Sequence, residues 1–148
     1  MAIWFDGFPL EQAQGLGRDT LIAHLGIELL AAGDDFLRAR MPADPRTRQP
    51  AGVLHGGASV ALAETLASWA ATYCVDRSKN HCVGLEINAN HVRPVREGFV
   101  YGIARPIHLG RSTHIWEIRI TTEDDKLVCV SRITMAVLDA PDRYTNTR

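Results

Sequence analysis

Glu64 is the only charged residue between Ala58 and Val75, in a run built mostly of Ala, Leu, Val, Trp, Tyr and Cys. An ionised carboxylate is costly to bury unless it is hydrogen-bonded, paired or wetted. Glu64 therefore either faces a cleft or has a partner inside, and it is the strongest chemical pointer in the chain. Just upstream, His55-Gly56-Gly57 opens the same stretch. A helix starting there presents unpaired backbone N–H groups and a partial positive charge, a setting suited to a developing oxyanion. Gly56 and Gly57 would let a ligand approach that backbone without a Cβ in the way. A Gly-Gly pair at a helix start is equally often a packing feature. Ser68 lies four residues beyond Glu64 and shares its helical face.

The elements that must hold these residues follow from the patterning. The run from 58 to about Asp76 has no internal breaker and is apolar on every side, the pattern of a buried helix. Before it, residues 9–24 predict one or two short helices broken near Gly15-Leu16-Gly17, with Asp19 or Thr20 as an N-cap. Residues 26–30 and 36–41 predict strands around the turn Gly33-Asp34-Asp35, and Pro42, Pro45, Pro50 and Gly52 make 42–54 a loop. After Asn80 the texture changes to strands at 82–93, 99–109, 114–122 and 127–138. In the first of these, Val83, Leu85, Ile87 and Ala89 share a face that continues into His91 and Arg93. Residues 139–148 read as a polar tail. The order predicts an α+β fold in which a long central helix is wrapped by a meandering antiparallel sheet of five or six strands. One such sheet covers only part of the helix, so the remaining apolar surface favours dimerisation, by edge pairing of sheets.

Bulk properties narrow the function. The 148 residues make one domain, 1–148, with 46% hydrophobic and 22% charged residues and a net charge of −1. That balance is not built for nucleic acid or for an anionic membrane. Three widely spaced cysteines, Cys74, Cys82 and Cys129, give neither a disulfide framework nor a thiolate zinc site. His108 and His114 lack metal-ligand spacing, so no metal is expected. The N-terminus has no basic region or cleavage-like site, and the helical run carries Glu64 and several hydroxyls, which argues against a membrane span. The expectation is a cytoplasmic protein.

Three stretches then carry a resemblance: RTRQPAGVLHGGASVALAET (46–65), VGLEINANHVRPVREG (83–98) and HLGRSTHIWEI (108–118). Over roughly residues 3–138 the chain resembles the hotdog-fold acyl-CoA thioesterases. It is most similar to the branch that includes 1,4-dihydroxy-2-naphthoyl-CoA hydrolases of menaquinone biosynthesis and phenylacetate-type thioesterases. The resemblance implies hydrolysis of aromatic, aroyl-type CoA thioesters to free acid and CoA, with coenzyme A as part of the substrate and no cofactor. It further implies a homodimer, commonly assembled into a homotetramer, with active sites between subunits. Glu64 would come from one subunit and Gln49, His55 and Gly56 from the other.

Within that frame Glu64 is the nucleophile, through an anhydride, or the general base on water; both routes stay open. The Gly56 amide and Gln49 polarise the thioester carbonyl, Gly57 gives access, and Ser68 or Thr65 holds water or the carboxylate. His55 bonds the thioester group or guides the leaving thiolate. His91 and Arg93 are candidates for the phosphates and ribose of coenzyme A, with Arg111 and Ser112 a second phosphate candidate. Trp4, Phe5 and Phe8 are placed over an acyl pocket. Two other readings compete: a hotdog 3-hydroxyacyl thioester dehydratase, whose His-loop pattern differs, and a non-catalytic acyl-CoA-binding module, which usually lacks the carboxylate.

Overall fold

The structure is a computed structural model and describes residues 1–140; the remainder of the expected polar tail lies outside them. Two short helices, α1 (Leu10–Leu16) and α2 (Leu21–His24), precede strands β1 (Glu28–Ala32) and β2 (Leu37–Pro42). The long helix α3 (Gly56–Tyr73) follows, then β3 (Asn80–His91), β4 (Phe99–Leu109), β5 (Thr113–Thr122) and β6 (Leu127–Asp139). The break between α1 and α2 falls at Gly17, and Thr20 caps α2 by accepting from the Ile22 amide. Asp139, assigned to the tail from sequence, ends β6 instead.

All six strands join one antiparallel sheet in the order β1-β2-β4-β5-β6-β3. This corrects the simple meander. β4, β5 and β6 are consecutive hairpins, but β3 pairs with β6 rather than β4, which puts the strand that follows the helix at the sheet edge. A crossover of this kind keeps α3 lying along β3. Gly56 meets His91 at one end, Glu64 meets Gly84 in the middle, and the Ala71 carbonyl meets the Cys82 thiol further on.

β3 also corrects a face assignment. A bulge between Gly84 and Glu86 inserts Leu85 as an extra residue, and an inserted residue reverses the alternation beyond it. Cys82, Ile87 and Ala89 pack on the core, while Val83 is 37% and Leu85 64% exposed. The predicted common face is therefore split at the bulge.

The inner sheet face receives α3 through Leu62 and Leu66, both fully buried against β4 at Gly102. Burial of each leucine contributes roughly 1.5–3 kcal/mol. Trp116, Ile118 and Ile120 of β5 complete the floor. Opposite them the expectation of a helix buried all round fails. Glu64 is exposed and Ala61, Thr65, Ser68 and Trp69 are only half-buried, because one sheet wraps one side of the helix. Trp4, Phe8 and Tyr73 stack on one another at the C-terminal end of α3. Phe5 lines a cavity with Tyr73, and Trp4, Phe5 and Phe8 are not among the residues that line the Glu64 cleft.

Candidate active site

The start of α3 is built by a tied-down loop. Arg48 bridges Leu54, the Gln49 amide donates to the Val53 carbonyl at 2.9 Å, and the His55 amide donates to the Thr47 carbonyl at 2.8 Å. His55 is the N-cap of the helix: its Nδ1 accepts from the Gly57 amide at 2.8 Å. With Nδ1 accepting, the proton-bearing nitrogen left to donate is Nε2. The His55 carbonyl accepts the amides of Ala58 (2.9 Å) and Ser59 (3.2 Å). Of the first-turn donors, then, Gly56 N–H alone has no acceptor among the described residues.

Gly56 is a glycine for a local reason. A Cβ built there would stand 3.0 Å from His91 Nε2, so the imidazole of His91 occupies the space over that backbone. A cavity of about 450 Å³ opens beside it, lined by Gln49, Leu54, Gly56, Ser59, His91 and Arg93 among others. Gln49 Oε1 is held by the Ala51 amide at 3.1 Å, which leaves its Nε2 as a free donor. Arg93 sits at the rim with Nε on the Leu127 carbonyl at 3.2 Å.

Glu64 is elsewhere. Eight residues along α3, at 1.5 Å per residue, place it roughly 12 Å from Gly56 along the helix axis. It lines a separate cleft of about 320 Å³ with Leu21 and Ile22 of α2 and with Ala61, Thr65, Ser68 and Trp69 of α3. Ser68 and Thr65 thus join Glu64 as their spacing predicts. No hydrogen bond or ion pair to the Glu64 carboxylate occurs among the described residues. A Cβ at Gly84 would lie 3.2 Å from Glu64 Oε1, so the bare strand position leaves room for the carboxylate. Gly84 was missed from sequence, although a glycine inside a strand pattern is itself a sign of close approach.

Arg111 and Ser112 are not brought to either place. They line a third cavity with Asn80, Val137 and Asp139, at the far end of β3 from His91. Burial pushes the Cys74 thiol up to about 12 and the Cys82 thiol up to about 11, and raises Cys129 as well, which disfavours the reactive thiolate form at all three.

Residues 51–129 match the family described as the thioesterase superfamily, and the chain belongs to it. It is 47% identical over 136 residues to the 1,4-dihydroxy-2-naphthoyl-CoA hydrolase of Escherichia coli, covering 92% of this chain and 99% of that protein. A proofreading thioesterase of Cronobacter turicensis is 48% identical over 136 residues, covering 92% and 98%. Among solved structures, a mutant thioesterase from Pseudomonas aeruginosa superposes with a TM-score of 0.93 at 49% identity, over 94% of this chain and 100% of that one. The helix-on-sheet architecture is the hotdog fold of these thioesterases, and the protein is a thioester hydrolase. Among the described residues no helix is long and apolar enough to cross a membrane.

Proposed function

We propose that the protein hydrolyses aromatic acyl-CoA thioesters at sites assembled from two copies of the chain. The observation that carries this is the separation of the two half-sites. The unpaired Gly56 N–H and Gln49 share one cavity, Glu64 lines another, and roughly 12 Å of helix divides them. A carbonyl held by the first lies beyond reach of the carboxylate of the same chain. The edge strand β3, with its exposed Leu85, offers twelve residues of backbone to a second copy. Pairing there sets the Gly56 cavity of one chain against the Glu64 cleft of the other. A homotetramer is a further pairing of such dimers.

In the assembled site the carbonyl oxygen takes hydrogen bonds from Gly56 N–H and Gln49 Nε2. Glu64 of the other chain attacks the carbonyl carbon or activates the water that does. Ser68 and Thr65 hold that water, while His55 Nε2–H faces the departing sulfur. Arg93 and His91, at the cavity that the thioester enters, meet the nucleotide end. The apolar walls given to the Glu64 cleft by Leu21, Ile22 and Trp69 suit an aromatic acyl group, in keeping with the name of the E. coli relative.

Thiol release from benzoyl-, hydroxybenzoyl-, dihydroxynaphthoyl- and aliphatic CoA esters tests the substrate class; a preference for aliphatic esters refutes it. Mixing tests the assembly. Glu64→Gln and Gly56→Ala chains, each inactive alone, are refolded together. Turnover should return to roughly a quarter of wild type, because random pairing makes half the dimers mixed and each holds one intact site of two. No recovery would put both half-sites to work within one chain.

A further inference from the structure

Ser59 is 2% exposed and borders the cavity of Gln49 and Gly56, yet its hydroxyl makes no hydrogen bond among the described residues. Buried serines and threonines in helices ordinarily settle on the carbonyl four residues back. Thr72 of the same helix does so, its Oγ1 donating to the Ser68 carbonyl at 2.8 Å. For Ser59 the equivalent acceptor is the His55 carbonyl, which already takes the amides of Ala58 and Ser59 itself. The fully buried, unpartnered side-chain atoms among the described residues do not include Ser59 Oγ, so the hydroxyl keeps access to the cavity that Ser59 lines, and its partner is to be sought there.

The direction of the side chain says where. Ser59 is three residues beyond Gly56 and on the same helix face. Helical Cα–Cβ bonds tilt toward the N-terminus, so the hydroxyl lies back over the first turn. That brings it beside the one first-turn amide that lacks an acceptor. Gln49 Nε2 enters the same cavity from the loop. Three donors therefore border one cavity, two of them on the helix and one on the loop.

We propose that Ser59 is a further catalytic residue, its hydroxyl donating to the thioester carbonyl oxygen alongside Gly56 N–H and Gln49. This rests on the reading of the cavity as the carbonyl-polarising half of the thioesterase site. When the nucleophile adds to the carbonyl carbon, the π pair moves onto oxygen and the hydroxyl hydrogen bond shortens against the new charge. When the C–S bond breaks, that pair returns to re-form C=O and the sulfur leaves with its own pair, to be protonated as coenzyme A thiol. Ser59 keeps its proton throughout. A donor of this kind acts on the transition state more than on bound substrate.

The test compares wild type, Ser59→Ala and Ser59→Thr by thiol release from benzoyl-CoA, with melting temperature measured beside it. Ser59→Ala should lower kcat about 10–100-fold with KM little changed. Its melting temperature should hold or rise, since alanine is the better helix former. Ser59→Thr, which keeps a hydroxyl, should recover part of kcat. A raised KM with kcat intact would make the hydroxyl a ground-state contact and overturn the assignment. So would full activity in Ser59→Ala, or a loss that tracks a fallen melting temperature. Failure of the hydrolase reading looks different: wild type itself is then silent toward every acyl-CoA before any Ser59 variant is compared.

Discussion

At the start of α3 the loop and all but one of the first-turn amides are tied down, whereas eight residues later a carboxylate has been left bare. The N-terminal half-site is a finished piece of structure: His55 caps the helix, the loop from Thr47 to Leu54 is bonded at both ends, and one amide remains open. The Glu64 half-site has apolar walls, including an exposed Leu21, and no bonded partner for its acid. The difference fits what the proposed function asks of each. Donors that stabilise an oxyanion help only if they are fixed before the charge appears. A nucleophile or base must keep its lone pairs free until the substrate arrives. On the proposed reading, rigidity on one side and an unpaired carboxylate on the other are the two complements of a single reaction.

The hardest blow to that contrast comes at Glu64. Glu64→Gln preserves the shape of the cleft but removes the charge, and kcat should fall by about 10²–10⁴ while the melting temperature barely moves. Measured turnover within tenfold of wild type would transfer the chemistry to another group. Gly56→Ala attacks the other side. The added Cβ would press on His91 Nε2 at 3.0 Å and on Cε1 at 3.2 Å, and it would hold a substrate carbonyl off the amide. A loss in kcat of about 10² is expected, the cost of one oxyanion donor. Gly56→Ala combined with His91→Ala separates the causes. Recovery in the double variant blames the imidazole clash, and persistent loss blames the blocked amide.

How far these half-sites were legible in the sequence depends on the kind of signal. Glu64 stood out because a lone charge in an apolar run violates the pattern around it, and Ser68 followed from helical spacing. The short helices, all six strands and the long helix were readable from periodicity and turn residues. The pairing of β3 with β6 was not, because it is fixed by where the crossover lands and not by residues within β3. Nor was the bulge at Leu85, which needs the register of both strands. The face of α3 left open by the sheet is likewise a property of one chain wrapping one helix; periodicity recorded only that every side was apolar. Within one chain the β4–β5 turn carries Arg111 and Ser112 to the end of β3 opposite His91, a placement that composition does not record.

A smaller effect is expected from His55→Ala. It removes the side-chain cap and leaves Gly57 N–H unpaired, which costs about 1 kcal/mol of helix stability, and it also removes the Nε2–H proposed to face the leaving sulfur. If capping is its main task, His55→Asn, a strong N-cap, should restore the melting temperature and most turnover. If the Nε2–H donor matters, His55→Asn should restore stability alone. Melting curves and kcat on the same three proteins decide between fixing the scaffold and touching the substrate.

The smallest effect lies outside both half-sites and guards their interpretation. His114 is buried on the inner face of β5 with its Nδ1 unpartnered. Burial, with His108 nearby, holds its pKa below the ordinary histidine value. In the unfolded chain the imidazole takes up a proton near pH 6.5, while the folded protein resists it. Stability is therefore complete above about pH 6.5 and declines as the pH falls toward the lowered folded value, since the unfolded state then binds more protons. Asp44, held low by Arg46, Asp76, held low by Ser78, and Asp124, held low by Thr122, titrate further down and leave this window alone. Between pH 7.5 and 5.5 the melting temperature should drop by about 2–5 °C, and His114→Leu should flatten that slope. An unchanged slope in the variant would remove His114 as its source. Where turnover falls in step with melting, the loss belongs to the core; only a loss at constant melting temperature bears on how the fixed donors and the free carboxylate share the work.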